Sequence, residues 1–414
     1  MRFGLLTQWY DPEPGPAALP GTLARGLVER GHEVSVLTGF PNYPTGMLAD
    51  GYQIRPRQRE VRDGVEVTRT ALWPSHKASA LSRMLTYGTF GATAASLGLV
   101  SLRGLDALWV NYSPVTLAPA MLLATKALGV PSIAHVADLW PDTLAASGVD
   151  ESSLVGKVAM KGSGAAAKAM YDAATFVSYI SPGVRAELVS RGVPKQKLAY
   201  TPMWANEDIF RPGAQSLREE LGLAQDAVVL VYAGSLGEAQ GLQTLVEACA
   251  AVTDPRFTLL IAGSGTAEQS LKNRVAELDL DNVIFLGRVP PERMSNLLAT
   301  ADAAYIGLNE HPLAQMTMPS KTQATLAAGC PLLVAGRGDV ANVARESGAG
   351  WCVPSGDTAA LASAINQICA AESGELDRLG RQARTYYEQT FAVRAGVDRL
   401  ERLLVAAASG KKTL

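Results

Sequence analysis

Met316–Gly336, MTMPSKTQATLAAGCPLLVAG, is the stretch whose reading decides the fold. Proline fixes φ near the helical value, so Pro319 suits the first turn of a helix, with Thr317 or Ser320 as its cap. Residues 320–328 are good or tolerable helix formers, Gly329 stands where a left-handed residue ends a helix, and PLLVAG reads as a short buried strand. A loop, helix, turn and strand in that order leave the helix N-terminus open. Its amides and partial positive charge favour phosphate, and Ser320, Lys321 and Thr322 add two hydroxyls and a cation, so the segment is expected to cradle a pyrophosphate.

Working outward, the same pattern recurs. AVVLVYAG at 227–234, FTLLIAGSG at 257–265, NVIFLGRV at 282–289 and AAYIGL at 303–308 are apolar runs with small or polar residues at or near their ends, separated by helical stretches. This alternation predicts a doubly wound parallel sheet whose ligand edge is made by Gly234 and Ser235, by Gly263 to Gly265, by Arg288 and by Ser320 to Gln323. The N-terminal half repeats the scheme. FGLLT at 3–7, a helix over 17–30 and VSVLT at 34–38 form a βαβ unit, with Gly15 in the loop where open sheets bind ligands. The glycines there do not match G-x-G-x-x-G, which weakens a dinucleotide reading. Further strands are expected at 67–73, 107–112, 132–140, 175–181 and 198–204, and helices at 118–129 and after Ser181. Asp138, Trp140 and Asp142 close the strand at 132–140, where a carboxylate would face the ligand crevice; Asp142 reads equally well as a helix cap.

The fold class is therefore α/β: two Rossmann-like, doubly wound parallel-sheet domains facing across a cleft, a default place for a binding site. The boundaries expected are 1–205, 206–390, and a C-terminal segment at 391–414 packing back toward the first domain, with helix running from 375 to 404. The 414 residues, 48% hydrophobic and 18% charged, supply ample core for two such domains. A net charge of −2 gives no basic field for nucleic acid. Cys249, Cys330, Cys352 and Cys369 show no C-x-x-C pairing and read as small buried hydrophobes in a reducing, cytoplasmic setting. The N-terminus reads as a first strand rather than a secretory leader. Residues 84–102 carry no charge but include three glycines and five Ser or Thr, so they are expected to pack or to rest peripherally on a bilayer rather than span it.

Seven motifs in order carry a resemblance: WYDPEPG with RGHEVSVLTGFPNYPTG near the start, DLWPD at 138–142, SPGVRAEL with RGVP, YAGSLGEAQGL at 232–242, IAGSGTAE at 261–268, VIFLGRVP at 283–290, and PSKTQATLAAGCP at 319–331. Together they resemble the retaining GT-B glycosyltransferases of family four, in the WbuB-like branch of bacterial polysaccharide enzymes. The resemblance implies transfer of a sugar from a nucleotide-activated donor, usually a UDP-sugar, with retention at the anomeric carbon and without metal or other cofactor. Carried over by position, Gly263, Gly265, Arg288 and Val289 would flank the nucleobase. Ser320, Lys321 and Thr322 would meet the diphosphate, Gly15 would approach it from the other domain, and Asp138 would face the sugar.

The chain departs from the wider family at several of these places. The Glu-x7-Glu pair falls on Met316 and Ala324, which leaves Gln323 to reach the ribose hydroxyls; the Arg and Lys positions fall on Ser235 and Gln240; and a His falls on Ala137. Lys321 then carries more of the phosphate charge. The branch resemblance points to a lipid-linked saccharide acceptor at the inner membrane face, with residues 84–102 in contact, while a small-molecule acceptor fits the composition equally. Other classes are a nucleotide-sugar-binding or partner protein without turnover, and an epimerase, which would need more bases than His32, His76, His135 and His311 provide.

Overall fold

The computed structural model describes residues 1–14, 19–75, 80–146, 149–150, 152–411 and 413. The chain forms two compact units, Met1–Pro202 with Gly396–Leu414, and Met203–Ala395.

The first unit is built on β1 (Arg2–Leu6), β2 (Glu33–Gly39), β3 (Arg57–Arg62), β4 (Val65–Thr70), β5 (Ala107–Asn111), β6 (Ser132–Val136), β7 (Phe176–Tyr179) and β8 (Leu198–Tyr200). Their order in the sheet is β3-β4-β2-β1-β5-β6-β7-β8. Every pairing is parallel except β3 with β4. β1, β5 and β6 are almost wholly buried, as strands covered on both faces by crossover helices must be. The order reverses between β1 and β5, the place where open α/β sheets bind ligands.

The second unit holds β9 (Val228–Ala233), β10 (Phe257–Ala262), β11 (Val283–Gly287), β12 (Ala303–Gly307), β13 (Leu332–Ala335) and β14 (Gly350–Val353). They lie in the order β11-β10-β9-β12-β13-β14, the strand order of a dinucleotide-binding sheet. One face buries Leu230, Tyr232, Leu259 and Ile261. The other buries Val229, Val231 and Leu260 beside β11, and Ile306, Leu332 and Val334 beneath the helix Ser320–Ala328.

Several expected elements are shorter or differently divided. The strand expected at 67–73 is β4, Val65–Thr70. Beyond it Thr93 donates to the Ala71 carbonyl at 2.6 Å and Thr89 accepts from the Trp73 amide at 2.9 Å, so helix side chains take over the backbone. β4 is preceded by an antiparallel partner that sequence pattern hides, because RQREVR has no apolar alternation. Asp63 and Gly64, at φ 50° and 77°, make the turn that such a pair requires. The strand expected at 132–140 stops at Val136, the last residue paired with β7. Residues 84–102 belong to a helix, Ala80–Thr93, that widens at Ala94–Gly98 and tightens at Leu99–Leu102. The helical run at 375–404 is two helices, Ser373–Thr390 and Val393–Ala408, parted where the amides of Phe391 and Ala392 both donate to Tyr387 and Phe391 enters the core. From Gly396 onward the second of them belongs to the first unit, where Arg30 bonds Asp398 and Glu401 and His32 meets Glu401 at 2.8 Å. Residues 154–173, given no element above, form a long helix capped by Ser153, whose hydroxyl accepts from Gly156 at 3.0 Å. Cys249, Cys330 and Cys369 are buried and unpaired, and no helix among the described residues is long and apolar enough to cross a membrane.

The loop after β1 is fixed by two buried ions. Arg69, fully buried on β4, donates to the carbonyls of Asp11 and Gly39 and pairs with Glu60 at 2.8 Å. Glu13 accepts from the amides of Tyr10, Asn42 and Tyr43 at 2.8–3.0 Å. Arg69→Ala leaves two buried carbonyls without donors and should lower stability in urea by about 3 kcal/mol; a loss under ~1 kcal/mol, the typical net worth of one hydrogen bond, would show that the loop is held otherwise.

Candidate functional site

In a parallel sheet all strand C-termini reach the same edge, so the second unit gathers its loops on one side. There the Gly234 amide donates to Ala262, Leu236 to Ser264 and Gly263 to Gly287, stitching the ends of β9, β10 and β11 together. The glycines are required by these close approaches. A Cβ on Gly263, at φ 143°, would stand 1.8 Å from the Gly234 carbonyl oxygen, and one on Gly265 2.3 Å from that of Leu236. Arg288, exposed, donates through Nε to Ser264 Oγ at 2.7 Å, while Val289 packs half-buried against the core beside β11. Gln240 ends a short turn that leads through left-handed Gly241 into the helix Leu242–Cys249.

The helix Ser320–Ala328 begins at this same edge. Pro319 occupies the cap position, one residue before the first turn where it was expected, and no side chain caps the helix. Thr317 does not cap it, its hydroxyl donating instead to the Leu313 carbonyl at 2.7 Å, and Ser320 is already helical. Gly329 ends the helix at φ 70°, as read from the sequence.

Lys321 reaches back over β9. Its Nζ donates to Tyr232 Oη at 3.0 Å, lies 4.2 Å from the ring centroid, and would touch a Cβ on Gly234 at 3.0 Å. Tyr232 Oη in turn donates to the Ser235 carbonyl at 2.6 Å. No carboxylate pairs with Lys321 among the described residues, and burial lowers its pKa to about 8. Next in the same turn, Thr322 and Gln323 are buried, and Thr322 Oγ1 and Gln323 Oε1 have no hydrogen-bond partner among the described residues. Ala324, by contrast, sits in the core beneath the helix, and Met316 follows the short helix Pro312–Gln315. Tyr232 is the residue that sequence pattern misses, since within VVLVYAG it reads only as core.

The first unit has its own edge. Asp138 follows β6, exposed, and its Oδ2 accepts from Ser113 Oγ at 2.7 Å; Ser113, which follows β5, gave no signal in the sequence. Asp142 opens the helix Asp142–Ala146 and pairs with Arg191 at 2.6 Å, a structural role. Gly15 and His76 lie outside the described residues. His135 is buried against Ser178 with its pKa lowered to about 3, His32 is engaged by Glu401, and His311 accepts from the Leu313 amide. No cluster of three or more His, Cys, Asp or Glu that could hold a metal occurs among the described residues.

Residues 15–204 match the family model of the glycosyl transferase 4-like domain, and residues 214–386 that of glycosyl transferases group 1. The chain is 26% identical over 326 residues to WcaI of Escherichia coli strain K12, a protein assigned as a glycosyl transferase of colanic acid biosynthesis; the match spans 77% of this chain and 79% of that one. Among solved structures it is similar to sucrose-phosphate synthase from Thermosynechococcus elongatus, with a TM-score of 0.73 at 20% identity over 99% of this chain and 100% of that one. It is also similar to Anabaena HepE in complex with UDP and glucose, with a TM-score of 0.69 at 16% identity over 98% and 100%. These likenesses, with the two parallel-sheet units, show the GT-B fold.

Because Lys321 is a partly buried cation without a counter-ion among the described residues, its charge costs stability below pH ~8, and that cost fades as pH rises toward the free-chain value of 10.5. Lys321→Met should therefore stabilise the free protein at pH 7, on the order of 2 kcal/mol, and gain little at pH ~10; an equal gain at both would show that the charge is not the cause. Gly263→Ala should destabilise by roughly 3 kcal/mol or more in urea unfolding, because the new methyl would collide with the Gly234 carbonyl.

Proposed function

We propose that this chain, a glycosyltransferase using a nucleotide-sugar donor whose residues 15–204 and 214–386 match the glycosyl transferase 4-like and group 1 models, transfers a sugar from a UDP-activated donor to a hydroxyl acceptor with retention at the anomeric carbon. The observation that carries this reading is the Lys321 cation, without a carboxylate partner among the described residues, at an uncapped helix N-terminus, with the unsatisfied oxygens of Thr322 and Gln323 in the same turn. A diphosphate placed there would meet the first-turn amides, the Ser320 hydroxyl and the Lys321 ammonium together. The Gln323 carbonyl oxygen would accept from a ribose hydroxyl, the task that an acid at Ala324 could not perform from within the core. Gly263, Gly265, Arg288 and Val289 would flank the base, with Ser235 and Gln240 on the loop beside the phosphates.

As the glycosidic bond breaks, positive charge grows on the sugar and negative charge on the diphosphate, so a preorganised cation and helix terminus lower the barrier most where charge develops. We assign this charge stabilisation to Lys321 and the helix rather than to a metal ion. A diphosphate oxygen on the same face of the sugar takes the acceptor proton, and we assign Asp138, held by Ser113, to the transferring sugar. On this reading the departures at Met316, Ala324, Ser235 and Gln240 fit the WbuB-like branch, and the enzyme acts in the cytoplasm at the inner membrane face on a lipid-linked saccharide or a small-molecule acceptor.

UDP and UDP-sugars should raise the melting temperature of the wild type, and Lys321→Ala should abolish the rise. With a matched donor and acceptor, turnover should continue in EDTA and proton NMR should show the donor's anomeric configuration in the product. Stabilisation by UDP without release of UDP from any donor would convert the assignment to a nucleotide-sugar-binding protein, and no stabilisation by any nucleotide would remove the donor site.

A further inference from the structure

The first unit contains a polar cavity of about 430 Å³ that takes no part in the reaction above. That volume lies within the ~300–1,000 Å³ range of small-ligand pockets. Its floor is made by Arg2 on β1, Ser35 on β2, and Glu66 and Thr68 on β4; the edge strand β3 forms one side, and the turn Leu99–Leu102 with Arg103 the other. Arg2 opens β1, and Ser35 and Glu66 stand in the first halves of strands parallel to it, so the cavity lies toward the N-terminal ends of the sheet. Ser113 and Asp138 follow the C-terminal ends of β5 and β6, which run the same way. A molecule held in this cavity is therefore at the opposite end of the sheet from Asp138 and is not a reactant.

The charges around the cavity say what enters it. Three arginines line it, Arg2, Arg59 and Arg103. Arg2 is tied to Glu66 at 3.5 Å, but Arg59 and Arg103 are exposed and have no ion-pair partner among the described residues. Arg57, which shares a face of β3 with Arg59, has Nε and Nη2 buried without an acceptor among the described residues, and burial together with the Arg59 charge lowers its pKa. Cations crowded in this way without a counter-ion raise the energy of the free protein, and an anion relieves it. Two carboxylates limit which anion that is. Glu60 is neutralised by the buried Arg69 at 2.8 Å, whereas Glu66, 69% exposed, accepts only from Ser35 at 3.3 Å besides its contact with Arg2 and keeps lone pairs open to the cavity. A chain of many negative charges would be repelled by Glu66. A single anionic group on a hydroxylated body would be matched at both ends.

We propose that this cavity binds a small phosphate monoester with hydroxyls on its body, the phosphate forked between Arg59 and Arg103 and the hydroxyls donating to Glu66. Guanidinium groups suit the first task because their planar N–H pairs match two phosphate oxygens at once. Val61 and Val100, both exposed on the cavity wall, cover the carbon skeleton between the two ends. The site does not depend on the donor assignment, since none of its residues belongs to the second unit.

The test titrates ribose 5-phosphate calorimetrically into the full chain, with ribose as the uncharged control. Ribose 5-phosphate should bind saturably, and ribose about tenfold more weakly or worse. The Arg59→Ala, Arg103→Ala double variant should weaken ribose 5-phosphate by about tenfold or more, the loss of two charge-assisted contacts. Both side chains are exposed and without ion-pair partners among the described residues, so the double variant should keep the wild-type melting temperature. Glu66→Ala should weaken ribose 5-phosphate yet tighten inorganic phosphate, because it removes an acceptor for hydroxyls and a repelling charge together. Lys321→Ala, altered only at the donor edge of the second unit, should bind ribose 5-phosphate as the wild type does. No binding to the wild type, unchanged affinity in the double variant, tighter ribose 5-phosphate in Glu66→Ala, or loss of binding in Lys321→Ala overturns the proposal. UDP stabilisation measured on the same samples separates the two readings: its absence removes the donor assignment and leaves this site standing.

Discussion

A lysine ammonium taken out of water without a carboxylate is costly, and the second unit maintains one. Lys321 is held by a neutral hydroxyl and an aromatic face, both weaker partners than an anion. The arrangement constrains everything near it. Gly234 must lack a side chain so that the ammonium can lie beside it, Tyr232 must stand at the end of β9 to receive it, and Pro319 must start the helix where it does. The missing counter-ion is what a diphosphate supplies, so the local instability of the free state becomes binding energy in the occupied one.

The parallel sheet makes that possible without further design. Because β9, β10 and β11 run the same way, their last residues meet at one edge, and close backbone approaches there demand glycine at 263 and 265. These glycines hold the loops together whether or not a nucleotide is present. Their pattern in the sequence is thus evidence of the edge, and only through the edge evidence of a ligand.

Much of this was legible in the sequence. Apolar runs placed the strands of both sheets except β3 and β14, and Pro319 with Gly329 bounded the central helix to within a residue. The physical reasons for the misses are specific. Strand ends were overrun where apolar residues continue past the last hydrogen-bonded neighbour, as after Val136. β3 was invisible because a charged edge strand has no alternation to read, although Asp63-Gly64 marked its turn. The helix at 154 escaped because its glycines and alanines suppress periodicity. Partners remote in sequence, such as Tyr232 for Lys321 and Ser113 for Asp138, leave no trace in spacing, since only the fold brings them within 3.0 Å and 2.7 Å.

The most direct measurement is the ionisation of Lys321 itself, followed by NMR of 13Cε-labelled lysine with Lys321→Arg to assign the resonance, in the free protein and with UDP added. In the free protein it should titrate near its depressed value of about 8, and UDP should raise it by more than one pH unit, as an anion bound against the ammonium must. A resonance that titrates identically with and without saturating UDP would contradict the claim that this cation receives the diphosphate.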